Sequence, residues 1–327
     1  MTAIEISSFG GPEVLRPVER PMPTAALGEL IIRVKAAGVA RADIMQRQGK
    51  YPPPPEASDI PGLDVAGVVE EIGPGVTGFE PGDAVCAILA GGGYAESAVA
   101  PALQVLPIPD GWSFVEAATL PENLFTVYDN LITRAGLKAG ETALVHGGTS
   151  GIGSMAIMLA TAWGARAIAT AGSDSKCEAC RELGAVEAIN YRTADFVEQV
   201  LFLTNDVGVD VILDLVGGSY LGRNLDALAL EGRLSIVALQ GGRTGELDLA
   251  KLMHKRARVL GSTMRVRTPP QKGAVATLLR KEVWPLLPAK QILRPVIDGT
   301  FPLAEAARAH ERLESGEHVG KIVLVVG

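Results

Sequence analysis

Cysteine, histidine and long apolar runs are scarce in this 327-residue chain, and each scarcity argues against a class of protein. Three scattered Cys argue against a disulfide framework and are typical of a reducing compartment. The longest apolar runs, residues 209–216 and 322–326, are far shorter than the ~20 residues that a membrane helix needs. The N-terminus lacks the basic and then apolar pattern of a signal peptide. We therefore expect a cytoplasmic protein with no membrane contact.

Positive charge is also in the minority. The 30 Lys and Arg face 37 Asp and Glu, and the resulting net charge of -7 would repel a phosphate backbone, so we expect no nucleic-acid partner. The apolar fraction of 47%, without a block of like charges, predicts a chain that folds throughout. Its length exceeds the usual size of one hydrophobic core, which predicts two domains.

The spacing of apolar segments changes along the chain. In the first ~120 residues, short stretches such as 30–34, 65–72 and 84–89 lie between Gly and Pro residues, a pattern typical of an all-β, barrel-like unit. From about residue 124, short apolar runs alternate with helix-length segments, which predicts βαβ units and a parallel sheet. The predicted helices cover 152–163 and 175–183, and the predicted strands cover 143–146, 167–170, 188–191, 209–215 and 234–239.

The alternation is lost after about residue 265, where Pro269 and Pro270 are expected to break the chain. The segments that follow, 294–301, a helix over 304–313 and 321–326, are too few to fold alone. We therefore predict an α/β protein in which 1–122 and 266–327 form one domain and 123–265 form a Rossmann domain with a doubly wound parallel sheet.

A glycine-rich turn lies between the first predicted strand and helix of the Rossmann segment, in the sequence ALVHGGTSGIG (143–153). Here Gly148 is expected to permit the tight turn, Gly151 to let the backbone approach a pyrophosphate, and Gly153 to let helix and strand pack closely. The helix N-terminus offers free N–H groups and a partial positive charge. The sequence thus predicts a dinucleotide cradle made of Gly148, Thr149, Ser150, Gly151 and Ile152.

Two other interpretations of the same turn fail. A short-chain dehydrogenase carries a similar glycine pattern near its N-terminus together with a later Tyr-x-x-x-Lys pair, and no Tyr in this chain has Lys four residues on. A serine hydrolase elbow needs Gly-x-Ser-x-Gly, but the residue two beyond Ser150 is Ile152.

The residue type about 20 residues past the last glycine distinguishes NAD from NADP binding, because an acid at that position binds the ribose 2′-hydroxyl of NAD. That point falls at Gly172 and Ser173, which leave room for a 2′-phosphate. Lys176 could reach the phosphate, and Tyr191 could close the adenine side. NADPH is therefore favoured, although a shift of one residue would place the carboxylate of Asp174 there instead.

Candidate metal ligands show no usable spacing. Cys86 stands alone, and Cys177 and Cys180 form a Cys-x-x-Cys inside a predicted helix without a second pair. The four His residues, at 146, 254, 310 and 318, show no paired ligand spacing. We therefore predict no metal ion. Because no Lewis acid would polarise a poor carbonyl, the substrate should already accept hydride readily, as quinones and activated enones do.

Several segments resemble the zinc-free quinone oxidoreductase branch of the medium-chain dehydrogenases over essentially the whole chain. Zinc-dependent members carry Gly-His-Glu where this chain has Gly62-Leu63-Asp64, and Cys where it has Ala40. Relatives commonly have Asn at position 40, so the alanine is a departure. The segments that carry the resemblance are ADIMQRQGKYPPP (42–54), IPGLDVAG (60–67), HGGTSGIG (146–153), ATAGSDSK (169–176), INY (189–191) and GKIVL (320–324).

The resemblance implies a GroES-like catalytic domain made from both chain ends, hydride transfer in a cleft between the domains, and a homodimer. It implies that Tyr51 and Asp43 line the substrate side and that Thr126 touches the nicotinamide. The remaining cofactor positions that it implies are Val216, Gly217, Leu239, Gln240, Gly241 and Lys321.

We hypothesise that NADPH faces a cavity walled by Met45, Tyr51, Leu63 and Asn123, with a proton from water or from the Tyr51 hydroxyl. Asp43 is either catalytic or holds a loop. The expected activity is reduction of quinones, with reduction of α,β-unsaturated carbonyl compounds or a crystallin-type or RNA-binding role as alternatives. An apolar edge near residues 258–264 is the expected dimer contact.

Overall fold

The structure is a computed structural model that describes residues 1–287 and 293–327. It divides into two compact units, one made of Met1–Phe125 with Met264–Gly327 and the other of Thr126–Thr263. Residues 288–292, part of the predicted segment 266–327, lie outside the described residues. No helix in the described ranges is long and apolar enough to cross a membrane.

The first unit is built around a mainly antiparallel sheet. Its strands pair in the order β14-β15-β3-β4-β5-β7, with β6 on β3 and with β1 and β2 as a separate pair. The long β3 is buried along most of its length because it pairs with strands from both chain ends. The bounds are β1 (Thr2–Ile6), β2 (Leu15–Glu19), β3 (Glu29–Val39), β4 (Asp64–Ile72), β5 (Ala84–Ile88), β6 (Ser97–Pro101), β7 (Val105–Pro107), β14 (Ile297–Pro302) and β15 (Lys321–Val325).

The helices of this unit are mostly short: α1 (Arg41–Arg47), α2 (Phe114–Ala117), α9 (Pro269–Glu282) and α10 (Ala306–Glu314). Another helix, α3 (Pro121–Val127), is followed by a π-helical segment, Tyr128–Arg134. The expectation that Pro269 and Pro270 break the chain is wrong, because α9 begins there. The first turn of a helix tolerates proline, which lacks only an N–H that would be unpaired anyway. The N–H of Thr268 donates to Oε1 of Gln271 at 3.0 Å and closes that end of the helix.

The second unit confirms the predicted parallel sheet. Its strands pair in the order β10-β9-β8-β11-β12-β13, every neighbouring pair being parallel. This is the strand order 3-2-1-4-5-6 of the doubly wound dinucleotide-binding fold. The bounds are β8 (Thr142–Val145), α4 (Gly151–Ala162), β9 (Arg166–Ala171), α5 (Asp174–Glu182), β10 (Glu187–Asn190), α6 (Phe196–Leu203), β11 (Val209–Asp214), α7 (Leu221–Ala227), β12 (Leu228–Ile236), α8 (Leu249–Lys255) and β13 (Arg258–Gly261).

The sheet centre is fully apolar, which explains why its strands appear in the sequence as continuous hydrophobic runs. Leu144, Ile168, Ile212 and Leu234 on four neighbouring strands are all fully buried in one core cluster. The largest difference from expectation is β12, which begins at Leu228 rather than at 234. The early part of this strand contains Glu231 at φ 62°, a local irregularity that masks the apolar pattern.

Candidate active site

The glycine turn after β8 forms a tight cradle at the start of α4. Gly147 has φ 65°, whereas Gly148 is not among the positive-φ residues, so the left-handed position lies one residue before the one expected. Ser150 is the N-cap: its Oγ accepts from the N–H of Gly153 at 3.0 Å and donates to the carbonyl of Gly147 at 2.8 Å. The turn is therefore locked by its own serine.

Close packing explains the other two glycines. A Cβ at Gly153 would lie 2.1 Å from the carbonyl oxygen of Gly147, so the close contact is between helix start and turn, whereas the sequence predicted close packing of helix and strand. A Cβ at Gly148 would lie 2.6 Å from Sγ of Cys180, so Gly148 serves packing rather than the turn. Binding of a pyrophosphate at this helix N-terminus stays a prediction.

A buried polar chain supports the cradle. His146 is fully buried; its Nε2 donates to Oδ1 of Asn224 at 2.7 Å and its Nδ1 accepts from the Thr170 hydroxyl at 3.0 Å. Burial lowers the pKa of His146 to about 4, so the ring is neutral. Nδ2 of Asn224 in turn donates to Asp214 at 3.1 Å. The carboxylate of Asp214 accepts from the N–H groups of Val216 and Gly217 at 2.7 and 3.1 Å.

The two predicted cofactor loops lie side by side at the ends of β11 and β12. The N–H of Gly241 donates to the carbonyl of Val216 at 2.7 Å, and a Cβ at Gly217 would lie 2.9 Å from the Leu239 side chain. Gln240 belongs to the same turn, since its N–H meets the carbonyl of Leu215. β11 is also the parallel neighbour of β8, so these loops and the glycine cradle share one edge of the sheet, where doubly wound folds bind ligands.

The residues of the expected 2′-phosphate corner lie at the start of α5 and the end of β10, and phosphate binding there stays a prediction. Ser173 is the N-cap of α5, and its Oγ accepts from the N–H of Lys176 at 3.3 Å. The Tyr191 hydroxyl lies 2.7 Å from where a Cβ of Gly172 would be, so the ring closes over that glycine. The carboxylate of Asp174 instead accepts from Nδ2 of Asn190 at 2.7 Å.

Sequence reasoning missed a second cation, besides Lys176, near this corner. Nε of Arg192 lies 3.6 Å from the Cβ position of Gly172. The only signal in the sequence was its place directly after Tyr191.

In the first unit, Asp43 is fully buried and fully hydrogen-bonded. Its carboxylate accepts from the N–H groups of Ala40 at 2.8 Å and Gly62 at 3.0 Å and from the Tyr94 hydroxyl at 3.2 Å. Burial raises the pKa of Asp43 to about 6, against the lowering effect of the two backbone hydrogen bonds. These contacts tie the start of α1 to the segment before β4, which favours the loop-holding role.

A chain of hydrogen bonds continues from Asp43 through buried residues. Nε2 of His310 lies 3.1 Å from the Tyr94 hydroxyl, and Nη1 of Arg47 lies 3.3 Å from Nδ1 of His310. Because arginine only donates, Nδ1 accepts and Nε2 carries the proton. Burial, with Arg47 nearby, lowers the pKa of His310 to about 3. Each donor in this series of hydrogen bonds therefore points toward the Asp43 carboxylate.

Tyr51 presents a free hydroxyl on a fixed ring. Its backbone carbonyl accepts from Nη1 of Arg265 at 3.1 Å, and that guanidinium lies 5.3 Å from the ring centroid. Among the described residues none forms a hydrogen bond with the Tyr51 hydroxyl. Burial raises the pKa of the phenol, so it is protonated at neutral pH. Met45 lies beside it, since its carbonyl accepts from the Tyr51 N–H at 3.2 Å.

Arg265 was not anticipated from the sequence. It also donates to Oε1 of Gln46 at 2.6 Å and to the carbonyl of Ala90 at 2.8 Å. These contacts join three segments of the first unit that are far apart in sequence.

Lys321 lies in a buried acidic cluster of the same unit. Its ammonium donates to Asp64 at 2.8 Å and lies 3.9 Å from Glu122. Burial opposes the charge, but the two acids together keep the pKa of Lys321 above its usual value. Burial raises the pKa of Glu122 to about 7 against the attraction of Lys321. Glu122 was also missed by sequence reasoning, and a cofactor contact of Lys321 stays a prediction.

Asn123 carries an unsatisfied acceptor that suits a nicotinamide. It is 2% exposed; Nδ2 donates to the carbonyl of Thr119 at 2.9 Å, while Oδ1 has no partner within the described ranges. A buried acceptor without a donor is costly. The carboxamide N–H of a nicotinamide is a donor of the right kind. Thr126, in the second unit, accepts through its carbonyl from Nδ2 of Asn130 at 2.9 Å.

Within residues 1–287 and 293–327, no group of three His, Cys, Asp or Glu is arranged to hold a metal ion. Cys86 is buried, and Cys177 and Cys180 are buried in α5.

A barrel-type unit made from both chain ends and a parallel sheet of order 3-2-1-4-5-6 together define a two-domain dehydrogenase. Sequence profiles of two families match, the "Alcohol dehydrogenase GroES-like domain" over residues 26–110 and the "Zinc-binding dehydrogenase" over residues 151–280. Rat quinone oxidoreductase is 32% identical over 329 residues, covering 100% of this chain and 98% of that protein.

Solved structures agree with this assignment. The crystal structure of Escherichia coli quinone oxidoreductase complexed with NADPH is 31% identical, with a TM-score of 0.87, covering 99% of this chain and 100% of that one. A crystal structure of an NAD-dependent alcohol dehydrogenase is 32% identical, with a TM-score of 0.86 and full coverage of both chains. The chain belongs to the quinone oxidoreductases of the medium-chain dehydrogenase/reductase superfamily, which confirms the predicted resemblance.

Proposed function

We propose that this protein is an NADPH-dependent reductase of quinones that works without a metal ion. The cofactor assignment rests on one contact: the carboxylate of Asp174, at the start of α5, accepts a hydrogen bond from Nδ2 of Asn190 at 2.7 Å. An NAD-type acid is thereby engaged elsewhere, and the groups closest to a side chain at Gly172 would be the Tyr191 phenol and the Arg192 guanidinium. Quinone oxidoreductases among its relatives, one of them complexed with NADPH, support the same assignment.

The residues present fit NADPH at each of its parts. The pyrophosphate would lie at the α4 N-terminus, on the backbone of residues 148–152. The 2′-phosphate would be held by Ser173, Lys176 and Arg192, and the adenine would lie against Tyr191. When bound, NADPH supplies a hydride from its nicotinamide ring.

We assign the acceptor side to the first unit. Tyr51 holds a protonated, unpartnered hydroxyl, and Met45 beside it supplies an apolar contact. Within the described residues no side-chain group is arranged as a ligand set for a Lewis acid, so we propose an acceptor that is already electrophilic, as a quinone is. Binding, orientation and one proton from Tyr51 or water are what the protein supplies. Asp43 and Lys321 would position the backbone around this side rather than react.

We also propose a homodimer that pairs through β13. This strand is the last in its sheet, and Val259 within it is 38% exposed. Sedimentation of the purified protein at micromolar concentration would test this proposal. A species of twice 34.1 kDa would support it, and a 34.1 kDa species throughout would overturn it.

The activity is tested by NADPH oxidation at 340 nm with metal-stripped protein. The acceptors are 1,4-benzoquinone, 9,10-phenanthrenequinone and an α,β-unsaturated ketone, with NADH as the cofactor control. Quinone turnover that is faster with NADPH than with NADH is expected. Turnover of the enone alone would change the assigned acceptor from quinones to α,β-unsaturated carbonyl compounds. Tight NADPH binding without any turnover would refute the reductase assignment. Activity that is lost with chelator and restored by zinc would contradict the metal-free proposal.

A further inference from the structure

The first unit contains a cavity of about 580 Å³, and Arg265, which also contacts Tyr51, is one of its lining residues. Its walls come from the loop around Glu56 and Ser58, the glycines at 91 and 92, the turn at Gln104 and the start of α9 with Lys272. Tyr51, Glu122 and Asn123 are not among its lining residues. A volume of this size suits a small organic molecule.

Lys272 is a buried cation without a counter-ion. Lys272 is 2% exposed and lines the cavity, yet its side chain forms no hydrogen bond or ion pair with any described residue. Burial, with Arg265 and Arg267 nearby, lowers the pKa of Lys272 to about 8. The N-terminus of α9, three residues earlier, adds partial positive charge to the same place. An ammonium that lines a cavity without a counter-ion is poorly stabilised, so an anion at this point would be favoured.

Gln104 provides a second unsatisfied group in the same wall. Its Nε2 donates to the carbonyl of Ile88, but its buried Oε1 has no partner within the described ranges. α9 packs against the turn that holds Gln104, so the two groups belong to adjacent elements. Oε1 accepts only, and it therefore requires a donor such as a hydroxyl.

The carboxylates in the lining do not neutralise Lys272. Glu29 accepts from the N–H of Ala26 at 3.1 Å, and Glu56 is exposed. Neither forms an ion pair with Lys272. Met1 also lines the cavity, and its N-terminal amine pairs with Glu19 at 3.4 Å.

We propose that this cavity binds a small organic anion that also carries a hydroxyl, such as a hydroxycarboxylate, with Lys272 as its counter-ion and Oε1 of Gln104 as the acceptor of its hydroxyl. An anion of this kind satisfies both buried groups at once, whereas water would leave the ammonium without a counter-ion. The proposal does not depend on the reductase assignment.

The test uses the full-length protein with its lysines 13C-dimethylated, which keeps their charge. The Lys272 resonance is identified by its loss in Lys272→Met, and its pKa is measured by NMR with no anion, with lactate and with inorganic phosphate, at constant ionic strength set with chloride. Saturating lactate is expected to raise the pKa of Lys272 by about one unit, equivalent to tenfold tighter binding by the charged form. The resonance of Lys281, exposed on the same helix, is the internal control.

Two variants complete the test by calorimetry. Lys272→Met should weaken lactate binding at least tenfold, and Lys281→Met should leave it unchanged. A Lys272 pKa that stays constant with both probes would overturn the proposal, as would equal loss of binding in both variants. A response to phosphate but not to lactate would overturn the hydroxycarboxylate assignment.

Discussion

Gly153→Ala tests whether the α4 cradle binds the cofactor. A Cβ at this position would lie 2.1 Å from the carbonyl oxygen of Gly147, whereas ordinary contacts begin near 3.4 Å. The turn and the helix start would have to separate by more than 1 Å. Overpacking of this kind costs roughly 1–3 kcal/mol. If that strain is relieved by distorting the N–H groups that meet the pyrophosphate, the dissociation constant for NADPH should rise about 5- to 150-fold.

The assay is a fluorescence titration of NADPH against wild type and variant, with circular dichroism to establish that each is folded. Gly222→Ala is the matched control, because Gly222 also lies in a helix of the second unit and its Cβ would meet only the carbonyl of Glu246 at 3.8 Å. The control should bind NADPH as the wild type does. A folded Gly153→Ala protein with unchanged NADPH affinity would refute the placement of the pyrophosphate.

Three further predictions concern separate parts of the molecule. Tyr51→Phe should lower kcat by about 10²-fold with little change in KM if the hydroxyl supplies the proton, and unchanged kcat would leave Tyr51 as a wall residue. Arg192→Ala should raise KM for NADPH about tenfold and leave KM for NADH unchanged, because only the former carries a 2′-phosphate; equal changes would argue against the contact. The pKa of His146, about 4 in the fold against 6.5 in the unfolded chain, implies that the unfolded state takes up the proton first as pH falls. The contribution of His146 to the free energy of unfolding is therefore fully present above about pH 6.5. Acidification to about pH 4 should lower the free energy of unfolding by about 3 kcal/mol. Urea unfolding at several pH values should show this loss, with a smaller loss in His146→Gln.

The parallel sheet could be predicted because its signals are local. Short apolar strands alternated with helices that ended at Gly164 and Gly184, and Gly172 follows β9 directly. Ser173 and Tyr191 could be chosen from the sequence because each closely follows such a strand, and their contacts with the cofactor stay predictions. The sequence assigned the tight turn to Gly148, but Gly147 takes the positive φ, because spacing alone does not say which of two adjacent glycines does so.

Long-range contacts explain what sequence reasoning missed. Arg265 reaches Gln46 across 219 residues, and Lys321 reaches Asp64 across 257. No local pattern indicates that such side chains meet. Helix α9 was missed for the opposite reason: two adjacent prolines are a strong breaking signal, and only their place in the first turn makes them compatible with a helix.

The pairing of β3 with β15 has a consequence for the order in which the protein matures on the ribosome. Val39 pairs with Ile322, so β3 emerges about 280 residues before its partner exists. At ordinary translation rates that interval lasts roughly 15–60 s. Until β15 emerges, residues 36–39 of this largely buried strand lack a partner on one edge, although residues 29–33 on the same edge pair with β6. The second unit, which ends at Thr263, is already complete by then. During synthesis the nucleotide-binding unit should become resistant to protease first, and the barrel should remain open to chaperones or to misassociation until β15 has emerged.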